Sequence, residues 1–262
     1  MFTWNPQDYA KNSSAQLSWA REQITKLNLS GSESILDVGC GDGKITAELS
    51  RLLQNGYILG IDSSSEMISF AQSTFPQQEF PNLQFACMDA RNIAVNREFD
   101  LVFSNAALHW LDDHLSFLRS ANRVMRKKGR LFTSCGGKGN ASDVIRVLNL
   151  MLKQKAWADY FKDFQTPWHF YDIPEYNDWL QQAGFEVVNI DLVPKDTLHS
   201  GKEGLAAWIR TTAMPYTNCV EESKRQLFIE EFVNLYLSDY PIDENGNSHV
   251  NMVRLEVNAI KA

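Results

Sequence analysis

Short apolar runs alternate with stretches of helical spacing through the first half of this chain. Residues 34–38 read as a strand, and residues 44–53 as the helix after a glycine-rich turn. Residues 57–61 form a second strand, closed by Asp62-Ser63-Ser64-Ser65, where serines suit a helix N-cap. The helix behind them carries Met67, Ile68 and Ala71, until Pro76 and Pro81 mark a loop. Residues 83–88 and 100–104 are a third and a fourth strand. The spacing of Leu115, Leu118 and Met125 predicts a helix over 112–128. Acids at its start, and Arg126-Lys127-Lys128 before Gly129 at its end, complement the helix dipole. Residues 130–135 are a fifth strand.

The second half is less regular. Helical patterns fall at 143–160, 174–183, 205–209 and 222–237, and strand patterns at 185–193 and 250–260, the last read as an edge strand. Strands that alternate with helices predict an α/β fold, a parallel sheet covered on both faces. Ligands of such sheets bind at the carboxyl ends of the strands. The expected organisation is a single domain, residues 1–262. Residues 1–30 form an N-terminal helical cap, and 139–170 and 198–245 are candidate helical insertions over the site.

Chemistry concentrates where the first strand ends, in Asp37-Val38-Gly39-Cys40-Gly41-Asp42-Gly43-Lys44. A strand that breaks into glycines and then starts a helix lets a ligand approach bare backbone. Asp62, about twenty residues on, is placed to hold a ribose diol. The dinucleotide fingerprint needs a glycine where Lys44 stands. A phosphate-binding P-loop needs glycine at Val38 and Ser or Thr at Ile45. Both phosphate readings weaken together, and a different nucleoside cofactor remains.

Composition narrows the classes. The 262 residues are 44% hydrophobic with a formal charge of -7 and a pI near 5.3, and no basic block marks a nucleic-acid binder. Cys40, Cys87, Cys135 and Cys219 are scattered, which argues for reduced thiols rather than a disulfide framework or a zinc site. The polar N-terminus has no secretory signature, and no apolar run reaches the roughly 18 residues of a membrane span. A cytoplasmic protein with neither a membrane nor a nucleic-acid partner is expected; oligomeric state is not readable. His109 and His114 are five apart, the wrong interval for paired ligands on one helix face, so no metal is expected.

The Asp-x-Gly-x-Gly-x-Gly turn resembles motif I of the class I S-adenosylmethionine-dependent methyltransferases. Three passages narrow the resemblance to carboxyl methyltransferases of the trans-aconitate and insect juvenile hormone acid types. They are Trp4-Asn5-Pro6-Gln7-Asp8-Tyr9, the segment from Tyr9 to Gln16 taken with the glycine turn, and Ser104-Asn105-Ala106-Ala107-Leu108-His109-Trp110. The malonyl-carrier-protein methyltransferases are a more distant match. The resemblance implies a Rossmann-like, doubly wound sheet of seven strands in the order 3-2-1-4-5-7-6. It implies S-adenosyl-L-methionine as cofactor and S-adenosyl-L-homocysteine as product. Tyr9, Asp37, Gly39, Cys40, Gly41 and Gly43 would border the cofactor, Asp62 its ribose, and Ser63 and Met67 its adenine. Asp89 and Ala90 would sit near the exocyclic amine, and Asn105 and Ala106 near the methionine portion. Gln16 and Trp110 would hold a substrate carboxylate.

His109 titrates near neutrality and invites a general-base role. A carboxylic acid, however, is already an anion at neutral pH, so a positioning role suits His109 better. The expected reaction is methyl esterification of a small or medium organic acid. Alternatives are transfer to nitrogen, a phenol or a malonyl carrier-protein thioester, and a non-enzymatic, cofactor-binding regulatory subunit. The dense aromatics from Trp157 to Tyr171 suit core or lid packing, or an apolar acyl chain.

Overall fold

The computed structural model describes residues 14–262, apart from the side chains at positions 14–16 and 18. Tyr9 and the side chain of Gln16 therefore lie outside the described residues. The described chain opens with helix α1 (Ser14–Lys26). Strand β1 (Ser34–Val38) leads to α2 (Lys44–Leu52), and β2 (Tyr57–Asp62) to α3 (Ser65–Thr74). Then come β3 (Leu83–Cys87), β4 (Phe99–Asn105), α4 (His114–Arg123) and β5 (Met125–Gly136). Helices α5 (Ser142–Met151) and α6 (Ile173–Gln182) precede β6 (Phe185–Ser200). Helices α7 (Gly201–Thr212), α8 (Met214–Thr217) and α9 (Glu222–Asp239) lead to β7 (Asn247–Lys261).

Among the described residues, seven strands form one sheet in the order β3-β2-β1-β4-β5-β7-β6, as the resemblance implied. The first five run parallel, whereas β7 is antiparallel to both β5 and β6. The sheet is thus mixed rather than all parallel. The last strand is interior, not an edge, and β6 takes the edge instead. Being an edge strand, β6 accommodates Pro194 and runs on to Ser200, well past the expected 193.

Each face of the sheet carries its own core. Phe117 and Leu118 of α4 and Tyr176 and Leu180 of α6 pack on one side. Ala47 and Leu49 of α2, with Ile68 and Ala71 of α3, pack on the other. Each fully buried large side chain contributes about 1.5–3 kcal/mol. A third cluster joins α5, α7, α8 and α9 through Leu148, Ile209, Tyr216 and Phe232. Ser200 pairs with Asn247, and the amide of Gly201 donates to the Gly246 carbonyl (2.8 Å), so α7–α9 emerge from the tip of the β6–β7 hairpin.

Two helices differ from expectation. The one expected over 112–128 spans only His114–Arg123, capped by Asp113, whose carboxylate accepts from the Ser116 amide. Val124 and Met125 satisfy the helical spacing but pack into the core as the entry to β5, where the Val124 carbonyl accepts from the Phe99 amide at 2.8 Å. Lys128, at φ +62°, is incompatible with a helix. The helix expected over 143–160 ends at Met151. Beyond it, the Trp157 indole donates to Glu231 of α9 at 2.7 Å, which draws the segment into turns.

Candidate active site

Strands β1 and β4 are neighbours, yet their following helices pack on opposite faces, so their exit loops diverge and leave a crevice. Gly39, Gly41 and Gly43 leave β1 with φ of +74°, +54° and +81°, which only glycine adopts cheaply. A Cβ on Gly39 would lie 2.2 Å from the Cβ of Ala107, beyond β4. The two exits therefore touch at the floor of the crevice.

Five of the turn's amides are already spent inside the protein. Gly39 and Cys40 donate to the Ile61 carbonyl (2.8 and 3.0 Å), and Gly43 donates to that of Cys40 (3.0 Å). Gly41 donates to Asp62 Oδ2 (3.0 Å), and Lys44 to Asp42 Oδ1 (3.2 Å). A pyrophosphate loop needs such amides turned outward. Here the Asp62 carboxylate stands at the turn instead, a setting that suits the hydroxyls of a nucleoside better than a phosphate.

Asp37 is buried beneath the turn, where its carboxylate accepts from the Thr46 hydroxyl at 2.7 Å. Burial raises it to about 7 against the Thr46 bond, and the nearby Asp62 adds to the rise. Cys40 is also buried, and desolvation with the adjacent acids drives its thiol well up, so it is no nucleophile.

Asp62 ends β2 and is partly buried. Its two oxygens accept from the amides of Gly41 and Ser64, at 3.0 and 2.9 Å. Burial nevertheless raises it above the usual carboxylate range. Ser64 caps α3 by accepting from Met67, whose side chain is buried, while Ser63 is exposed. The Met88 amide donates to the Asp62 carbonyl (2.9 Å), which ties the β3 exit to the same edge. Asp89 caps the turn Ala90–Asn92 and holds Arg91 at 2.7 Å, a contact that keeps its carboxyl below the usual range. The structure thus ties the β3 exit, beyond which Asp89 and Ala90 lie, to Asp62, but commits the Asp89 carboxylate to Arg91.

On the other side of the crevice, β4 ends at buried Asn105, and Ala106 takes φ +54°, held by its amide donating to Ser134 (2.7 Å). A left-handed alanine costs about 1–2 kcal/mol, so the surroundings impose this turn. It delivers His109 and Trp110 to the wall of a cavity that Asn105 and Ala106 also line. The Gly136 amide donates to His109 Nδ1 (3.3 Å), which leaves the proton on Nε2. Burial, with His114 nearby, pushes His109 down to about 3, so it is a neutral donor. His114 is structural: its Nε2 donates to the Leu108 carbonyl (2.7 Å) and its Nδ1 accepts from Tyr176 (3.3 Å).

The remaining walls come from the half of the chain that carried no motif. Trp168 meets Trp110 edge-on at 6.1 Å, and Trp208 of α7 and Met252 of β7 close the apolar side. Trp19 of α1 and Arg254 of β7 are also lining residues, and sequence reasoning missed both. Arg254 is 1% exposed. Its Nη2 donates to Glu22 (3.0 Å) and Glu256 (2.5 Å), and Trp19 covers it at 5.4 Å. Nε and Nη1 have no partner among the described residues. The available signal was a basic residue inside an alternating strand, which by itself reads as solvent-facing.

A family model described as a methyltransferase domain matches residues 36–133. The uncharacterized methyltransferase C70.08c of Schizosaccharomyces pombe is 32% identical over 227 residues, covering 84% of each chain. The chain belongs to the class I S-adenosylmethionine-dependent methyltransferases. Another relative is trans-aconitate 2-methyltransferase of Escherichia coli, 29% identical over 250 residues, 94% of this chain and 93% of that one. The same fold occurs in phosphoethanolamine N-methyltransferase 2 of Haemonchus contortus, solved with S-adenosyl-L-methionine. That structure has a TM-score of 0.63 at 14% identity, over 98% of this chain and 56% of that one. This methyltransferase is an enzyme whose cofactor is S-adenosylmethionine. Among its described residues, no helix is long and apolar enough to cross a membrane.

Proposed function

We propose that this methyltransferase esterifies the carboxylate of a small or medium organic acid. The observation that carries the reading is the neutral His109, whose Nδ1 lone pair is taken by Gly136. A site with no free base among its described residues suits an acceptor that is already ionised. Carboxylic acids, with pKa values near ~4, meet that condition, whereas phenols and ammonium groups must first lose a proton. The relative named for trans-aconitate, itself a carboxylic acid, supports the same class.

In this reading Asp62 receives the ribose hydroxyls, with Ser63 and Met67 beside the adenine and Asp89 with Ala90 near its amine. Asp37 and the turn of Gly39, Cys40, Gly41 and Gly43 border the methionine portion, opposite Asn105 and Ala106. Tyr9 is assigned to the cofactor by the resemblance alone. When bound, the cofactor supplies a methyl group already activated on a sulfonium. The chain's own task is then positioning and exclusion of water, and orientation of this kind supplies about 7–11 kcal/mol in favourable cases. His109 Nε2–H, the Trp110 indole N–H and the Gln16 amide are neutral donors that orient a carboxylate without trapping it as a strong ion pair would. The segments 139–170 and 198–245 would cover the cavity as a substrate lid.

Incubation with methyl-labelled cofactor and a panel of free acids tests the reading. Alkali-labile methyl esters are the expected product. Label transferred only to amines, phenols or macromolecules overturns it.

A further inference from the structure

We propose that Arg254 receives a second anionic group of the acceptor and sets the enzyme's preference among acids. The inference rests on the carboxyl-methylation reading above and adds to it a specificity-determining residue. In the sheet, Arg254 pairs with Gly136 of β5, the residue whose amide holds His109, and with Val193 of β6. A cation in that interior position is costly unless its charge and its donors are met.

Its charge is met only in part. Glu22 and Glu256 both accept from Nη2, but Lys195 also holds Glu22 (2.9 Å) and Lys26 also holds Glu256 (2.9 Å). Among the described residues three cations share two carboxylates, so the cluster keeps one net positive charge. The donors of Nη2 are spent on the glutamates, whereas Nε and Nη1 are buried without a partner among the described residues. Arg254 is also the one cationic side chain among the described residues that line the cavity. Unmet donors on a buried cation, set in an aromatic wall, form a receptor for an anion.

The placement assigns which anion. Two strand spacings, roughly 10 Å, separate β7 from β4, where His109 and Trp110 follow the strand exit. The carboxylate that reacts belongs at the β4 end, so the anion at Arg254 is a distal one on the same molecule. A monoacid with an apolar tail would lay methylenes against unmet N–H donors. Sites built to hydrogen-bond a group reject analogues that lack it more strongly than they reject a misfit methylene.

The test compares glutarate and adipate with the chain-matched monoacids pentanoate and hexanoate, in binding and in turnover. Binding is read by calorimetry on the full chain loaded with S-adenosylhomocysteine, and turnover as kcat/KM for ester formation. The wild type is expected to favour diacid over monoacid by at least about tenfold, and Arg254→Gln to bring that ratio near one. Arg254→Gln leaves Glu22 and Glu256 without the cation between them, so Arg254→Gln/Glu22→Gln, which removes one acid with the cation, reads the same loss in a protein of unchanged net charge. Equal binding of mono- and diacids by the wild type, or discrimination kept in the variants, overturns the assignment. Arg254-dependent binding of a diacid that is never esterified upholds Arg254 and overturns carboxyl methylation alone.

Discussion

The Gly136 amide donates to His109 Nδ1 across 3.3 Å, and that bond decides which proton the imidazole carries. With Nδ1 occupied and the group pushed down to about 3 by burial, His109 holds no proton-accepting lone pair toward the cavity at neutral pH. At saturating cofactor, the pH profile of kcat/KM for ester formation is therefore expected to carry no His109 limb from about pH 6 to 9. It should fall below about pH 5, where the acceptor carboxylate itself takes up a proton. A limb between about pH 6 and 7 that vanishes in His109→Gln would make His109 a base and defeat this account.

Gly39 and Ala107 occupy the same space from opposite sides of the crevice. Gly39→Ala would put two methyl carbons 2.2 Å apart on a backbone at φ +74°. The left-handed strain costs about 1–2 kcal/mol and the overpacking about 1–3 kcal/mol. Urea unfolding should report that combined loss. Ala107→Gly should recover the packing part in the double variant but not the strain. Additive effects of the two changes would mean that the exits do not touch.

The first five strands were legible because each is a short apolar run closed by glycine, serine or an acid; residues 34–38 agree with β1 residue for residue. Spacing failed where one pattern serves two elements, as at Val124 and Met125, which fit helix periodicity but enter β5. The strand order came from the resemblance rather than from periodicity, and periodicity alone misplaced the last strand at an edge. The link between the glycine turn and Asp62 was legible because both lie within one βαβ unit, and the Gly41 amide does donate to Asp62. The cavity's far wall was not, since Arg254 meets Glu22 across 232 positions and alternation treats such a residue as outward-facing.

Asp62 joins the turn and the proposed ribose contact in one carboxylate. Asp62→Ala should weaken S-adenosylmethionine binding about 10–100-fold, the range of one hydrogen bond to a charged group, about 1.5–3 kcal/mol. Because Gly41 and Ser64 also lose their acceptor, the variant should melt lower even without cofactor. Asp62→Asn keeps one carbonyl oxygen and should fall between. Calorimetry separates the two effects: a lower Tm with unchanged cofactor affinity would leave Asp62 a purely structural role.

Asp37 links stability to pH with a definite sign. Its carboxyl is buried under the turn, bonded to Thr46, and raised to about 7 from an ordinary 3.8. Below pH 3.8 the group is protonated in folded and unfolded chains alike, and it costs nothing. As pH rises from 3.8 to about 7 the unfolded chain gives up this proton first, so the folded state loses stability; above that the penalty is constant. An asparagine side chain in this place has no proton to lose, yet its amide oxygen can still accept from Thr46. The stability of Asp37→Asn relative to wild type should therefore grow across that window and level off above about pH 7, by an amount on the order of 4 kcal/mol, about 3 kcal/mol of it above pH 5. Urea unfolding of the cofactor-free protein at about pH 5, 6, 7 and 8 reads this difference directly. A difference that does not change with pH would mean that Asp37 stays ionised in the fold, and the turn would then rest on a buried charge rather than a shared proton.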